Sequence, residues 1–128
     1  MIDSRIERLA FAEKHLSVPH TITLGEGDVE RMKDITAGDY YTEVFDCTGS
    51  PKAMERGFSL VSHGGSYVLV SIVQGNISFS DPEFHKRETT LLSSRNATLT
   101  DFATVMAAMA MGQPAPNPNA HPARMAAE

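Results

Sequence analysis

Tyr67-Val68-Leu69-Val70-Ser71-Ile72-Val73 is a nearly continuous run of apolar, β-prone residues, and its reading decides the fold. A strand with one wet face alternates apolar and polar residues. A run that does not alternate fits a strand covered on both faces, as a parallel sheet requires. Just upstream, Ser50-Pro51 is a strong helix start, an N-cap residue followed by proline at the first helical position. Met54, Phe58 and Val61 then fall at i, i+4 and i+7, which gives that helix one apolar side, and Gly64-Gly65 is expected to end it. A further strand is predicted over Tyr41–Cys47 with Val44-Phe45 as its buried centre, turned by Thr48-Gly49.

The same alternation extends in both directions. Towards the N-terminus, Asp28 can cap a helix carrying Val29, Met32 and Ile35 and ended by Gly38. Gly25-Glu26-Gly27 is a turn, and His20–Leu24 is a short β-prone stretch. Ser4 with Glu7 three residues later has the pattern of a capping box, and Ile6, Leu9, Ala10 and Leu16 supply an apolar helical face behind it. Downstream, a polar loop from Gly75 to Pro82 leads to a short strand over Thr89–Ser93. Thr98 with Asp101 opens a last helix whose apolar positions are Phe102, Val105, Met106 and Met109, closed by Gly112. Residues 113–128, rich in proline and side-chain amides, read as an irregular C-terminal tail, so the ordered part is expected over 1–112. Alternating strands and helices predict an α/β fold, a parallel sheet with right-handed crossovers and flanking helices.

Composition narrows the function. The 128 residues are 41% hydrophobic and 21% charged, as in a globular chain. A net charge of -5 provides no electrostatic footprint for nucleic acid or an anionic membrane surface. No apolar run is long enough to span a bilayer, and Met1–Ala10 lacks the basic-then-apolar order of a secretory signal. Cys47 is the single cysteine, which excludes an internal disulfide and fits a reducing, cytoplasmic setting. One thiol also excludes a zinc site built from several thiolates of this chain. His15 and His20 lack a carboxylate at metal-site spacing, His63 suits a helix C-terminus, and His85 and His121 read as solvated, so no metal ligand is assigned. The sequons at Asn76-Ile77-Ser78 and Asn96-Ala97-Thr98 carry no weight without a secretory signal.

Several segments come in a familiar order: Val44-Phe45-Asp46-Cys47-Thr48-Gly49-Ser50, His63-Gly64-Gly65, Val70-Ser71-Ile72-Val73, and Phe84 through Asn96. Together, over roughly residues 1–112, they resemble the distal half of the coenzyme domain of zinc-type medium-chain alcohol and polyol dehydrogenases, near the sorbitol, threonine and galactonate dehydrogenases. The resemblance implies a partial Rossmann-like sheet lacking its first strand. It implies NAD as cofactor, a small-molecule alcohol as substrate of the full-length family, and zinc bound by residues outside this chain. Asp3 matches the acidic residue at a strand end that holds the adenosine ribose, and Arg8 a basic residue nearby. A carboxylate there accepts both ribose hydroxyls and repels a 2′-phosphate, which favours NAD over NADP. Read locally, Asp3 or Ser4 equally serves as a helix cap.

Thr48 and Gly49 match the turn beside the adenine side of the cofactor, although such a glycine suits any strand-to-helix turn. Val70 and Ser71 match the strand end whose backbone meets the nicotinamide carboxamide, with Ser71 standing where many relatives have glycine. Arg95 matches an arginine directed at the cofactor phosphates or the substrate; locally it is also an ordinary solvated arginine after a strand.

No GxGxxG turn occurs in the sequence, and the family's catalytic domain has no counterpart in it. The expectation is therefore a fragment without catalytic residues, binding NAD weakly or not at all and inactive alone. A sheet without its middle strand leaves open edges, so a homo-oligomer joined through exposed sheet edges is expected. The alternative is a non-catalytic nucleotide-binding or self-association module. A response-regulator-like domain is disfavoured, because it would need an acidic cluster at the first strand's end and a lysine on a late strand.

Overall fold

A computed structural model describes residues 1–112, so the expectation for 113–128 lies outside the described residues. The chain divides into two compact units, Met1–Arg95 and Asn96–Glu128.

The first unit alternates strand and helix: β1 (Ile2–Asp3), α1 (Ile6–Leu16), β2 (Ile22–Thr23), α2 (Asp28–Thr36), β3 (Tyr41–Asp46) and α3 (Pro51–Gly57). A 3₁₀ turn at Phe58–Leu60, β4 (Val61–Leu69), α4 (Asp81–Lys86) and β5 (Thr90–Ser93) complete it. β1 pairs in parallel with β2, and β3, β4 and β5 form a separate parallel sheet in that order. Mixed α/β architecture with parallel strands is therefore what the sequence predicts. The split between β1 and β3 falls where the resemblance places a missing strand, and each of these two strands is hydrogen-bonded on one side only.

Tyr67 and Val68, neighbours that project to opposite faces of β4, are both buried. Both faces of this strand are thus covered, as its composition requires. The coverage stops early, however. β4 ends at Leu69 rather than Val73, and Ile72 is 75% exposed. Phe45, expected in the centre of a buried strand, is 44% exposed. On the first helix Leu9 and Ala12 are buried, whereas Ile6 and Leu16 of the expected apolar face lie open. A small core of Ile22, Met32 and Leu60, flanked by Val29, Ile35, Tyr41 and Val44, joins residues of β2, α2 and β3.

Local chemistry explains most boundaries and corrects some. Ser4 does not cap α1; Asp3 accepts the backbone N–H of Arg5 at 2.8 Å instead. Gly27, in the left-handed region, precedes α2, while the Asp28 carboxylate accepts the Gly25 N–H and a bidentate pair from Arg56 at 2.6 and 2.8 Å. Gly64-Gly65 does not end a helix. It lies inside β4, where Tyr41 pairs with Val61 and Glu43 with Ser66, so that β4 advances five residues while β3 advances two. Gly64 takes φ of +69°, and a Cβ on Gly65 would stand 2.9 Å from the Thr42 carbonyl. A strand bulge requires such residues as much as a helix end does. Arg87 holds the bulge: its guanidinium donates to the Val61 carbonyl, and its own carbonyl accepts the Gly64 N–H.

Helix α4 begins at the end of the expected Gly75–Pro82 loop and fills the stretch before β5, where no helix was expected. Its signal was Ser80-Asp81-Pro82, a cap residue with proline in the first turn. Phe84 on this helix packs tilted against Phe79 and edge-on against Phe58, Phe79 stacks on Phe58, and Phe58 packs edge-on against Tyr67. The Tyr67 hydroxyl donates to the Met54 carbonyl at 2.8 Å, and the ring passes so close to Gly57 that a Cβ there would overlap the hydroxyl.

In the second unit, α5 (Leu99–Ala110) starts with the capping box read from the sequence: Thr98 Oγ1 accepts the Asp101 N–H, and the Asp101 carboxylate accepts the Thr98 N–H. Hydrogen bonds from the Thr98 N–H and the Thr98 hydroxyl to the carboxylate hold the Asp101 pKa below its ordinary value. Phe102, Met106 and Met109, the apolar face, are exposed. No helix among the described residues is long and apolar enough to cross a membrane.

Candidate functional site

In parallel α/β sheets ligands bind beyond the carboxyl ends of the strands, where loops project over the edge of the sheet. Asp3 is the last residue of β1, Thr48 and Gly49 follow β3, Val70 and Ser71 follow β4, and Arg95 lies just past β5. Every predicted strand-end residue thus occupies a position from which a ligand at that edge could be touched. Arg8 comes from the first turns of α1 and joins Asp3.

The residues gather into two groups. At the end of β1, one Asp3 oxygen accepts the Arg5 N–H at 2.8 Å and the other lies 3.4 Å from the Arg8 guanidinium. The Arg5 hydrogen bond, with Arg8 in support, draws the Asp3 carboxyl below the usual carboxylate range. Asp3 is thus held as an anion whose oxygens accept, which suits vicinal hydroxyls and opposes a phosphate. Arg8 also borders an apolar groove on α1 formed with Met1, Phe11, Ala12 and Leu16.

The second group centres on Asp46, which sequence reasoning passed over as an ordinary strand residue. Asp46 is 6% exposed. Its Oδ1 accepts the Thr48 N–H, the Thr48 hydroxyl and the Ser71 hydroxyl, each at 3.0 Å. Its backbone carbonyl accepts the N–H groups of both Val70 and Ser71. Ser71 Oγ in turn accepts the Gly49 N–H at 2.9 Å, and Thr48 Oγ1 accepts the Ser50 N–H at 3.1 Å. The signal for this was Asp46 two positions before Thr48, the spacing at which a side-chain carboxylate caps its own turn. Val70, 42% exposed, stands at the rim of this network.

The bookkeeping of donors limits what this group can do. The amides of Thr48, Gly49, Ser50, Val70 and Ser71 are all committed within the protein, so the turn is not an anion cradle. It offers instead a preformed backbone surface: Gly49 takes φ of +66°, and nothing lies within 4 Å of where its Cβ would stand. A flat ring or sugar can approach that surface closely. No hydrogen bond or ion pair among the described residues joins the Asp3 group to the Asp46 group, and Arg95 is exposed and joins neither.

The donor set does not fit zinc. Among the described residues no three His, Cys, Asp or Glu side chains come together. Burial, and then the charge of Asp46, push the Cys47 thiol pKa up, whereas a zinc ligand must lose its proton. A larger cavity opens at the opposite end of the sheet, bounded by Asp39, Tyr40, Thr42, Ser62, His63 and Lys86. It contains none of the residues assigned from the sequence and lies away from the strand ends where ligands of such sheets bind.

Residues 1–111 match the family described as zinc-binding dehydrogenase. Among curated proteins, L-galactonate-5-dehydrogenase of Escherichia coli K12 is 49% identical over 76 residues, which cover 59% of this chain and 22% of that enzyme. The chain thus matches only about a fifth of the length of that relative. Among solved structures, the alcohol dehydrogenase of Aeropyrum pernix superposes with a TM-score of 0.79 at 19% identity, over 87% of this chain and 32% of that one. A short chain alcohol dehydrogenase of Escherichia coli CFT073, complexed with the cofactor NADH, superposes with a TM-score of 0.72 at 19% identity, over 87% of this chain and 32% of that one. At such identities the superpositions speak for the fold.

Proposed function

The chain belongs to the zinc-binding dehydrogenase family, and from that premise we propose that residues 1–112 are the distal part of an NAD-binding domain. The whole enzyme would oxidise a secondary alcohol of a polyol, sugar acid or similar alcohol, in keeping with the galactonate dehydrogenase relative. One observation carries the reading: Asp3, Thr48, Gly49, Val70, Ser71 and Arg95 all sit at or just past the carboxyl ends of parallel strands. In this assignment Asp3 accepts the ribose hydroxyls, with Arg8 orienting it. Thr48 and Gly49 line the adenine side, Val70 and Ser71 meet the carboxamide, and Arg95 faces the phosphates or the substrate. NAD, when bound, supplies the hydride acceptor.

Two physical limits belong to the proposal. With the turn amides committed internally, these turns offer the pyrophosphate no backbone cradle, so binding is weak. No side chain among the described residues is poised to take the alcohol proton beside a metal, so these residues alone do not turn over substrate. The acidic composition and single thiol favour a cytoplasmic setting.

Titrating NAD into the isotope-labelled chain tests the assignment. Saturable amide shifts at Asp3 and Thr48 are expected, and their absence at millimolar-range ligand overturns it. In parallel, a panel of polyols and sugar acids with NAD should yield no reduced nicotinamide; sustained turnover would refute the non-catalytic part. The one-sided pairing of β1 and β3 favours a second reading, a self-association module joined through sheet edges. Such a module would associate without responding to NAD.

A further inference from the structure

We propose that Asp46 is the positioning residue of the ligand-facing rim: it locks the turn after β3 onto the end of β4, so that both loops meet a dinucleotide as one preshaped edge. The inference rests on the NAD reading above and extends it to a residue and a device that the reading does not contain.

The two loops are 22 to 25 positions apart in sequence at their points of contact. They are joined by a closed circuit of hydrogen bonds. The Ser71 hydroxyl has one proton, which goes to Asp46 Oδ1, and its lone pair takes the Gly49 N–H. The Thr48 hydroxyl likewise gives its proton to Asp46 and takes the Ser50 N–H. The Thr48 hydroxyl also lies 3.2 Å from Asp46 Oδ2, so both carboxylate oxygens face this turn. A neutral amide at this position loses the charge that strengthens each of these hydrogen bonds and puts an NH2 group where one carboxylate oxygen stood. Asp46 itself is buried, and the low local dielectric strengthens the hydrogen bonds it accepts.

The circuit also explains a departure noted in the sequence. Glycine at position 71 would keep only the backbone hydrogen bonds to the Asp46 carbonyl. Ser71 supplies the hydroxyl that converts two adjacent loops into a single unit, and Gly49 keeps the bridged surface open to a ligand. Rigidity at this rim reduces the ordering cost of binding, which matters most where the ligand has few other anchors.

Four proteins test the proposal: the unaltered chain, Asp46→Asn, Ser71→Ala and Ser71→Thr. The readouts are NAD affinity from amide shifts, hydrogen exchange at the Gly49 amide, and global unfolding. Asp46→Asn and Ser71→Ala are each expected to weaken NAD binding about tenfold and to speed Gly49 exchange by a similar factor. Ser71→Ala should leave the unfolding midpoint close to that of the unaltered chain, and Ser71→Thr, which keeps the hydroxyl, should restore both readouts. Should Asp46→Asn fail to fold, the serine pair decides. Unchanged affinity and exchange in Ser71→Ala would overturn the proposal. If the unaltered chain does not bind NAD, the functional reading fails, and the lock is judged on exchange alone: unchanged Gly49 protection in Ser71→Ala refutes it, loss restored by threonine sustains it.

Discussion

Asp28 illustrates how a single residue can serve two purposes that sequence pattern conflates. It was expected to cap α2, but Gly27 takes the cap position, and Asp28 is the first helical residue, its carboxylate spent chiefly on Arg56 of α3 and on the Gly25 N–H. The side-chain hydrogen bond from Arg56 is the main reason that the Asp28 pKa falls below its ordinary 3.8. A carboxyl whose folded pKa is depressed contributes stability that is complete above the unfolded value. That contribution is lost as pH falls through the lower folded value, so the chain should lose stability below about pH 4 through this pair. Asp28→Asn removes the charge and leaves a half-covered guanidinium unpaired. A loss of about 3 kcal/mol is expected at neutral pH, with a flatter stability profile in acid, measured by denaturant unfolding across pH. An unchanged neutral stability would show that solvent screens the pair. Asp3 and Asp46 teach the complementary lesson. Asp3 was visible in the sequence because it matches the acidic strand-end residue of the family that the chain resembles. Asp46 was not, because the partner that matters, Ser71, is brought to it only by the pairing of β3 with β4.

At the scale of elements, period and caps located nearly every strand and helix, and errors arose where one residue type serves two geometries. Gly64-Gly65 is the case in point. Two glycines after an apolar i, i+4, i+7 pattern suggest a helix end, but here the helix stops at Gly57, a 3₁₀ turn follows, and the glycines form a bulge within β4. Gly65 is required there by contact: a Cβ would stand 2.7 Å from Val61 Cγ1 and 2.9 Å from the Thr42 carbonyl. Gly65→Ala is therefore expected to lower stability by about 2 kcal/mol, with the loss concentrated in the β3–β4 pairing. Amide exchange along β4 together with a thermal midpoint checks this; a midpoint within error of the unaltered chain would mean that the bulge relaxes freely. The capping box of α5, by contrast, was legible to the residue, since both of its hydrogen bonds close within three positions.

For the molecule as a whole, free strand edges matter most. In the unit Met1–Arg95, β1 and β3 each pair on one side only, and Phe45 on β3 stays half exposed. Unpaired backbone beside apolar side chains favours association with another strand. Size-exclusion chromatography over a range of concentrations should show a concentration-dependent shift to larger species, whereas a compact, heat-resistant monomer would contradict it. The sequence by itself determined the alternation of strand and helix, the parallel character of the sheet, and the coverage of both faces at Tyr67 and Val68. These follow from side-chain period, chain direction and turn chemistry, which act over a few positions. Only the tertiary structure decided the bulge that uses Gly64-Gly65, the Asp28–Arg56 pair across 28 positions, the Tyr67 ring against Gly57, and the Asp46 circuit. Each depends on register between segments distant in sequence, and period reveals which face a residue occupies but not which partner waits there.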